Sequence, residues 1–199
     1  MHDFHSDDYV DRWVNGVGGL LRDSVIHHLV GHLSLLGSDD FHIVELAPGP
    51  GILAQRLLSS FPSATYEGAD YSAPMRRHAG ERLADFSDRA RFVHADLRST
   101  EWLEAISRPP DVVVSMQALH DVGGEEAHDQ VYGSVRRLME PGGLLVNADY
   151  MRRSTRGEDR GPGIPLDAHL ALLRTHDFQD VRCTLDIGRY ACVAATVPA

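Results

Sequence analysis

Short apolar runs recur along the chain, mostly too far apart for hairpin turns, and this spacing constrains the fold more than any other feature. Seven such runs predict strands, at residues 41–46, 64–69, 91–94, 111–115, 144–148, 180–186 and 190–196. Stretches with helical spacing separate most of them, which is typical of right-handed crossovers between parallel strands. Only the last two runs, joined near Gly188, are close enough for a hairpin. The pattern predicts an α/β fold with a doubly wound, seven-stranded sheet, mostly parallel with an antiparallel last strand, and helices on both faces.

Helical patterns fill the gaps between these runs. The predicted helices cover 52–60, 73–86, the region around Trp102, 125–139 and 166–175. Ser72 and Pro74 provide a typical start for the second of these helices. Residues 5–38 also carry apolar side chains at helical spacing, so we expect one or two helices over the carboxyl edge of the sheet. The sequence therefore predicts one domain over 1–199, with 1–38 as an N-terminal helical cap or lid.

Charge and composition exclude several classes of function. The net charge is −10, and all 19 basic residues are arginine because the sequence contains no lysine. This excludes chemistry that needs a lysine amine, and an acidic chain lacks the positive field that holds a nucleic-acid backbone. Cys183 and Cys192 have no metal-ligand spacing, and no apolar run approaches membrane-spanning length. We expect a cytoplasmic protein with a small-molecule substrate, no metal site, and no nucleic-acid or membrane partner.

The segment FHIVELAPGPGILAQRL, residues 41–57, reads as a buried strand, a tight glycine turn and the start of a helix. Gly49 and Gly51 permit positive φ and close approach of the backbone to a ligand, and with Ala54 they match the dinucleotide fingerprint G-x-G-x-x-[GA]. Asp70 ends the second predicted strand 19 residues after Gly51, near the ~20 expected for the acid that binds ribose hydroxyls. Together these residues predict an adenosine-containing ligand on a Rossmann-like sheet.

Glu45, just before the turn, discriminates between two adenosine ligands. A dinucleotide carries a pyrophosphate, which a neighbouring carboxylate repels. S-adenosylmethionine instead carries an ammonium and a sulfonium, which a carboxylate attracts. The charge of Glu45 therefore favours S-adenosylmethionine as the cofactor, and a nicotinamide-dependent oxidoreductase stays as the alternative.

Five segments, in order and at proper intervals, resemble the motifs of small class I S-adenosylmethionine-dependent methyltransferases. They are VELAPGPG, YEGADYSAPMRRHA, VHADL, DVVVSMQALHDV and LMEPGGLLVNAD. The resemblance is close over roughly 42–149 and loose over roughly 166–197. Ala47 stands where this family usually has its first glycine. The resemblance implies cofactor contacts at Glu45, Ala47, Gly49, Gly51, Asp70, Tyr71, Met75, Asp96, Leu97, Ser115 and Met116.

Leu119, His120 and Asp121 directly follow the fourth predicted strand, near the expected site of transfer. They resemble the His-Asp pair of small-molecule O-methyltransferases, although Val122 stands where tryptophan often follows. The resemblance implies transfer of a methyl group to a hydroxyl or carboxyl oxygen of a small metabolite, with His120 as general base oriented by Asp121. The alternative is a His120 that only lines the pocket or caps the next helix. The sequence does not determine whether the acceptor atom is oxygen, nitrogen or carbon. It does not determine the oligomeric state either.

Other side chains give weaker signals. His28 and His32 lie one helical turn apart but lack a third ligand, so packing or exposure is favoured over a metal site. Tyr9 and Trp13 either close over the cofactor or anchor the first helix. Four arginines after the fifth strand are interpreted as a solvated loop rather than a clamp for an acidic substrate: Arg152, Arg153, Arg156 and Arg160. A third hypothesis for the chain is an S-adenosylmethionine-binding protein without transfer activity.

Overall fold

The computed structural model describes residues 3–16, 19–152, 163–188 and 190–199. Its strands are β1 His42–Leu46, β2 Thr65–Asp70, β3 Ala90–His94, β4 Val112–Met116, β5 Leu144–Tyr150, β6 Gln179–Ile187 and β7 Tyr190–Thr196. They form a seven-stranded sheet with the order β3-β2-β1-β4-β5-β7-β6. Neighbouring strands are parallel except at β7, which runs antiparallel to both β5 and β6. The predicted doubly wound fold with an antiparallel last strand is confirmed.

The helices lie in the predicted gaps between strands. They are α1 Asp7–Gly16, α2 Leu20–Ser34, α3 Ile52–Ser60, α4 Ala73–Arg82, α5 Glu125–Leu138 and α6 Leu166–Thr175. Short 3₁₀ segments cover Ala84–Phe86, Glu101–Ala105 and Leu119–Asp121. The helix predicted over 73–86 is therefore divided, because the buried Leu83 leaves the helical conformation, with φ −100° and ψ 19°.

Two apolar layers cover the two faces of the sheet. Helices α2 and α3 pack on one face, and α5 and α6 pack on the other. Successive residues of β1 pack in different layers. Ile43 packs in the layer of α2 and α3, Val44 packs in the layer of α5 and α6, and both are 0% exposed. Burial on both faces explains why the central strands read as continuous apolar runs.

The two N-terminal helices have different positions. Helix α2 packs on the face of the sheet through Val25, Leu29 and Leu33, rather than over its edge as the sequence predicts. Helix α1 lies near the carboxyl edge, where its only buried residue is Val10. Helix α1 contacts α4 through an ion pair between Asp7 and Arg77 at 2.6 Å and a hydrogen bond between Asp11 and His78 at 2.7 Å. Helix α1 thus lies over this edge of the sheet.

The carboxyl ends of the parallel strands meet at one edge of the sheet. The chain order reverses between β1 and β4, and an open α/β sheet forms a ligand crevice at such a point. Within the described ranges, no helix is both long and apolar enough to cross a membrane.

Candidate active site

A cavity of about 830 Å³ lies at the carboxyl ends of β1, β2, β4 and β5, beneath α1. Ten of the predicted site residues line it: Ala47, Gly49, Asp70, Tyr71, Met75, Asp96, Leu97, Met116, His120 and Asp121. The other three, Glu45, Gly51 and Ser115, are buried behind the wall. Side chains that the sequence did not indicate also line the cavity, among them Phe4, His5, Arg12, Arg22, Gln117 and Tyr150.

The glycine turn between β1 and α3 forms one wall of the cavity. Gly49 and Gly51 have φ of 56° and 77°, in the left-handed region that favours glycine. A Cβ atom at Gly51 would lie 3.3 Å from the Cα atom of Ala79, so the turn also packs closely against α4. Ala47 has φ 49°, which is uncommon outside glycine, and its amide donates to the Ala69 carbonyl oxygen at 2.8 Å. The backbone conformation of the turn is therefore stabilised by its two glycines and by the backbone hydrogen bond of Ala47.

Asp70 ties this turn to the end of β2. Its Oδ2 accepts a hydrogen bond from the Gly49 amide at 3.1 Å, and its Oδ1 accepts one from the Ser72 amide at 2.8 Å. The side chain is 4% exposed, and this burial raises the pKa of Asp70 to about 6. Asp70 thus lines the cavity as a carboxylate whose position is fixed by two backbone donors.

Glu45 lies behind the turn rather than in the cavity wall. The side chain is 1% exposed, and its Oε2 accepts a hydrogen bond from the Tyr66 hydroxyl at 2.8 Å. Burial raises the pKa of Glu45 to about 8, and the nearby Asp70 contributes in the same direction. The carboxyl group that the sequence places beside the ligand is therefore mostly protonated at pH 7 in this structure.

The ends of β2 and β3 form the opposite part of the cavity. Leu97 and Met75 provide buried apolar surface there, with exposures of 5% and 3%. Asp96 accepts two hydrogen bonds from the guanidinium of Arg98, at 2.9 and 2.8 Å, and these bonds lower its pKa. Tyr71 packs edge-on against the ring of His5, with 4.8 Å between centroids. This end of the cavity suits a flat, mostly apolar group with a polar edge.

His120 is held by Asp149 rather than by Asp121. The Nδ1 atom of His120 lies 2.6 Å from Asp149 Oδ1, and the His120 amide donates to Asp149 Oδ2 at 2.9 Å. The Oδ2 atom of Asp121 is 3.5 Å from the other ring nitrogen, Nε2, and the Asp121 side chain is more exposed than that of Asp149. Burial alone would lower the pKa of His120, but Asp149 outweighs it and the pKa is raised. The predicted orientation by Asp121 thus gives way to orientation by a buried carboxylate on β5.

The contact with Asp149 also determines the tautomer of His120. A carboxylate oxygen only accepts, so the neutral ring carries its proton on Nδ1. The Nε2 lone pair is then the atom available for a proton from outside, and the side chain is 12% exposed. Sequence analysis did not identify Asp149, although a polar residue inside the buried run of β5 was the available signal.

Arg22, Gln117 and Tyr150 form a second polar group beside His120. The Nε and Nη2 atoms of Arg22 donate to Gln117 Oε1 at 2.8 and 2.5 Å. Gln117 Nε2 donates to the Tyr150 hydroxyl at 3.1 Å, and the Tyr150 ring lies 5.4 Å from that of His120. Gln117 adopts φ 54°, a strained conformation typical of functional sites. Burial lowers the pKa of Arg22, and among the described residues its guanidinium has no carboxylate partner.

The weaker sequence signals have separate outcomes. Trp13 lines the cavity and packs against Phe4 at 5.8 Å. His28 Nε2 lies 3.0 Å from the Thr184 hydroxyl, and the described residues contain no group of three metal-ligand side chains. The Arg152 amide donates to the Ile164 carbonyl oxygen at 3.1 Å. The remaining members of the arginine group, Arg153, Arg156 and Arg160, lie outside the described residues.

Comparison with known proteins agrees with this architecture. A family model described as "Methyltransferase domain" matches residues 43–143. A trans-aconitate 2-methyltransferase of Paracidovorax citrulli is 33% identical over 125 residues, which are 63% of this chain and 44% of that protein. A second trans-aconitate 2-methyltransferase, of Delftia acidovorans, is 31% identical over 106 residues, or 53% of this chain and 36% of that protein. The chain thus spans less than half the length of these relatives.

Solved structures with the same fold have lower sequence identity. An O-methyltransferase family protein from Burkholderia thailandensis has a TM-score of 0.79 at 20% identity, covering 100% of this chain and 61% of that chain. Human N-acetylserotonin methyltransferase, solved in complex with S-adenosylmethionine, has a TM-score of 0.73 at 14% identity, covering 98% and 58%. The family match extends over half of the chain and includes the glycine turn and His120. The chain therefore belongs to the methyltransferase domain family and has the fold of class I S-adenosylmethionine-dependent methyltransferases.

Proposed function

We propose that the chain transfers a methyl group from S-adenosylmethionine to an oxygen atom of a small acidic or hydroxylated metabolite. The observation that carries this proposal is the juxtaposition, in one cavity, of the glycine turn with a histidine held by a buried carboxylate. Family membership supports methyl transfer over nicotinamide-dependent oxidation. The name of the relatives, trans-aconitate 2-methyltransferase, supports an acidic acceptor.

The residues of the cavity fit the parts of S-adenosylmethionine. Asp70, which lines the cavity, would accept hydrogen bonds from the ribose hydroxyls. Leu97 and Met75 offer apolar surface for the adenine, and the left-handed glycines leave room for a ligand next to the backbone. S-adenosylmethionine supplies a methyl group already activated by its sulfonium charge.

Arg22 is the residue that we assign to the α-carboxylate of the methionine group. It is a partly buried cation in the cavity wall, and its only hydrogen bonds within the described residues go to the neutral amide of Gln117. A guanidinium pairs well with a carboxylate through parallel hydrogen bonds.

His120 is proposed as the general base. Its Nε2 accepts the proton of the acceptor hydroxyl as the oxygen attacks, and Asp149 stabilises the positive charge that the ring then carries. The raised pKa of His120 makes its neutral ring a stronger base. An ionised carboxylate acceptor needs no base, and in that case His120 positions the acceptor. Tyr150 and Gln117 line the same end of the cavity and would contact the acceptor.

The experiment uses S-adenosylmethionine with a labelled methyl group and a panel of small carboxylic acids and phenols. We expect label to reach at least one acceptor, and the His120→Ala variant to lower kcat on a hydroxyl acceptor by about 100-fold or more without changing the affinity for S-adenosylhomocysteine. His176→Ala is the matched control, because His176 also pairs with an aspartate, at 2.8 Å, but outside the cavity. Unaltered turnover in His120→Ala would reduce this residue to a part of the pocket wall.

A further inference from the structure

A group of polar side chains lies inside the apolar layer between β5, α5 and α6, below Asp149. The group consists of His128, Tyr132, Asn147 and His169. Three of them are 0% exposed and His169 is 1% exposed. None of them lines the cavity, so the mechanism above does not use them. Buried polar groups of this kind are costly unless hydrogen-bonded, so their arrangement calls for a physical account.

The hydrogen bonds on one side determine the tautomer of His169. Asn147 Nδ2 donates to the Tyr132 hydroxyl oxygen at 3.2 Å. The Tyr132 hydroxyl lies 2.6 Å from His169 Nδ1. Because Asn147 donates to the hydroxyl oxygen, Nδ1 is the neighbouring atom that can accept the hydroxyl proton, and we assign the proton of Tyr132 to this contact. Burial lowers the pKa of His169 to about 3, so the ring is neutral and carries its own proton on Nε2. His169 thus presents an Nε2–H donor.

The hydrogen bond on the other side gives His128 the opposite tautomer. His128 Nδ1 lies 2.9 Å from the Gly124 carbonyl oxygen, which only accepts, so the proton is on Nδ1. Burial lowers the pKa of His128, and the neutral ring therefore presents a bare Nε2 acceptor. His128 and His169 lie edge-on, with 5.0 Å between ring centroids.

The His169 donor and the His128 acceptor are complementary. Among the described residues, neither His128 Nε2 nor His169 Nε2 has a hydrogen-bond partner. The titratable groups that face the pair are Tyr132, His120 and Asp149, and the charge of Asp149 reaches both rings. Asp149 accepts hydrogen bonds from the His120 amide, His120 Nδ1 and the Tyr150 amide, which leaves capacity on its carboxylate for a fourth.

We propose that His128 and His169 together hold an internal water molecule against Asp149, and that this water positions the carboxylate that orients His120. The water accepts from His169 Nε2–H and donates to His128 Nε2 and to Asp149. A buried water typically makes about three such hydrogen bonds. His128 and His169 are then positioning residues that act through Asp149, an inference that rests on the proposed role of His120.

The variants His128→Asn and His169→Asn test this arrangement. Asparagine places a polar atom near the position of Nδ1, so each variant can keep the observed bond to Gly124 or Tyr132 and loses only Nε2. We expect kcat to fall about 10-fold with the KM for S-adenosylmethionine unchanged. His176→Asn, at the partly exposed pair with Asp129, is the control and should leave both parameters unchanged.

Nitrogen NMR of labelled histidines provides a readout that does not depend on activity. In the unsubstituted protein we expect a neutral Nδ1–H tautomer for His128 and a neutral Nε2–H tautomer for His169, and in each variant we expect the pKa of His120 to change. The reverse tautomers, an unchanged His120 titration in folded variants, or a high-resolution crystal structure with no water at this point would overturn the proposal. If His120 titrates as expected but no acceptor is methylated, the positioning inference stands and the proposed function fails.

Discussion

Replacing Glu45 with glutamine isolates the effect of the carboxyl charge behind the glycine turn. The pKa of Glu45 is about 8 in the folded chain, against an ordinary value of 4.5. Because the folded pKa is raised, the stability contributed by the protonated group is fully present below about pH 4.5 and is lost as the pH rises towards 8. At pH 7 the loss amounts to about 3 kcal/mol, since each unit between 4.5 and 7 costs about 1.4 kcal/mol.

The Glu45→Gln variant keeps the shape of the side chain and removes this loss. We therefore expect it to be more stable than the unsubstituted chain at pH 7 by about 3 kcal/mol and near equal to it at pH 4.5. In thermal unfolding, 3 kcal/mol corresponds to a rise in Tm of roughly 6–12 °C for a chain of this size. The assay is thermal or urea unfolding of both proteins, without ligand, from pH 4.5 to 8.

Glu67 provides a control of opposite sign on the neighbouring strand. It is also buried, at 2% exposure, but hydrogen bonds from Arg91 and Ser107 outweigh burial and lower its pKa. The Glu67→Gln variant should therefore lose stability, and lose more at pH 7 than at acid pH. Glu45→Gln should in addition bind S-adenosylmethionine more weakly, because the cation favours an ionised Glu45. Parallel stability curves for Glu45→Gln and the unsubstituted chain across this pH range would refute the reasoning.

Three further substitutions probe the rest of the site. Asp149→Asn should lower kcat at least ~100-fold. It should also move the acid limb of the plot of kcat/KM against pH to lower pH, because Asp149 raises the pKa of His120. An unshifted plot would contradict this. In steady-state kinetics, Arg22→Gln should raise the KM for S-adenosylmethionine about 10-fold or more at nearly constant kcat. An equal rise in KM for a donor that lacks the carboxylate would exclude the contact between Arg22 and that group. Gly51→Ala should lower the free energy of unfolding by roughly 1–2 kcal/mol in urea denaturation. The reason is that residue 51 has φ 77° and that the new Cβ atom would crowd Ala79. An unchanged urea midpoint would contradict this strain.

The fold followed from the sequence because local patterns and the global architecture agree. The helices predicted over 52–60 and 166–175 and the strand predicted over 190–196 have those bounds in the structure. Each is bounded by a strong signal, such as the proline after the first helix. The helix predicted over 73–86 ends early because the packing of Leu83, and not its helix propensity, decides the conformation there.

The sequence indicated cavity-lining residues where they belong to one motif, and it did not indicate those that distant segments bring together. Asp149 and His120 are 29 residues apart, and Arg22 and Gln117 are 95 apart, so no local spacing relates either pair. Glu45 was placed beside the ligand because of its position in the sequence. Its side chain points into the layer of α2 and α3, where Tyr66 also lies, and a strand buried on both faces has no alternation from which to predict that direction.

A crystal structure of the chain with S-adenosylhomocysteine tests the central claim most directly, because the sulfur atom marks the point of transfer. The account predicts that the ribose hydroxyls bond to Asp70, that the methionine carboxylate pairs with Arg22, and that the sulfur faces His120 Nε2 across a space able to hold an acceptor. A ligand whose ribose lies away from Asp70, or whose sulfur is turned from His120, would contradict it.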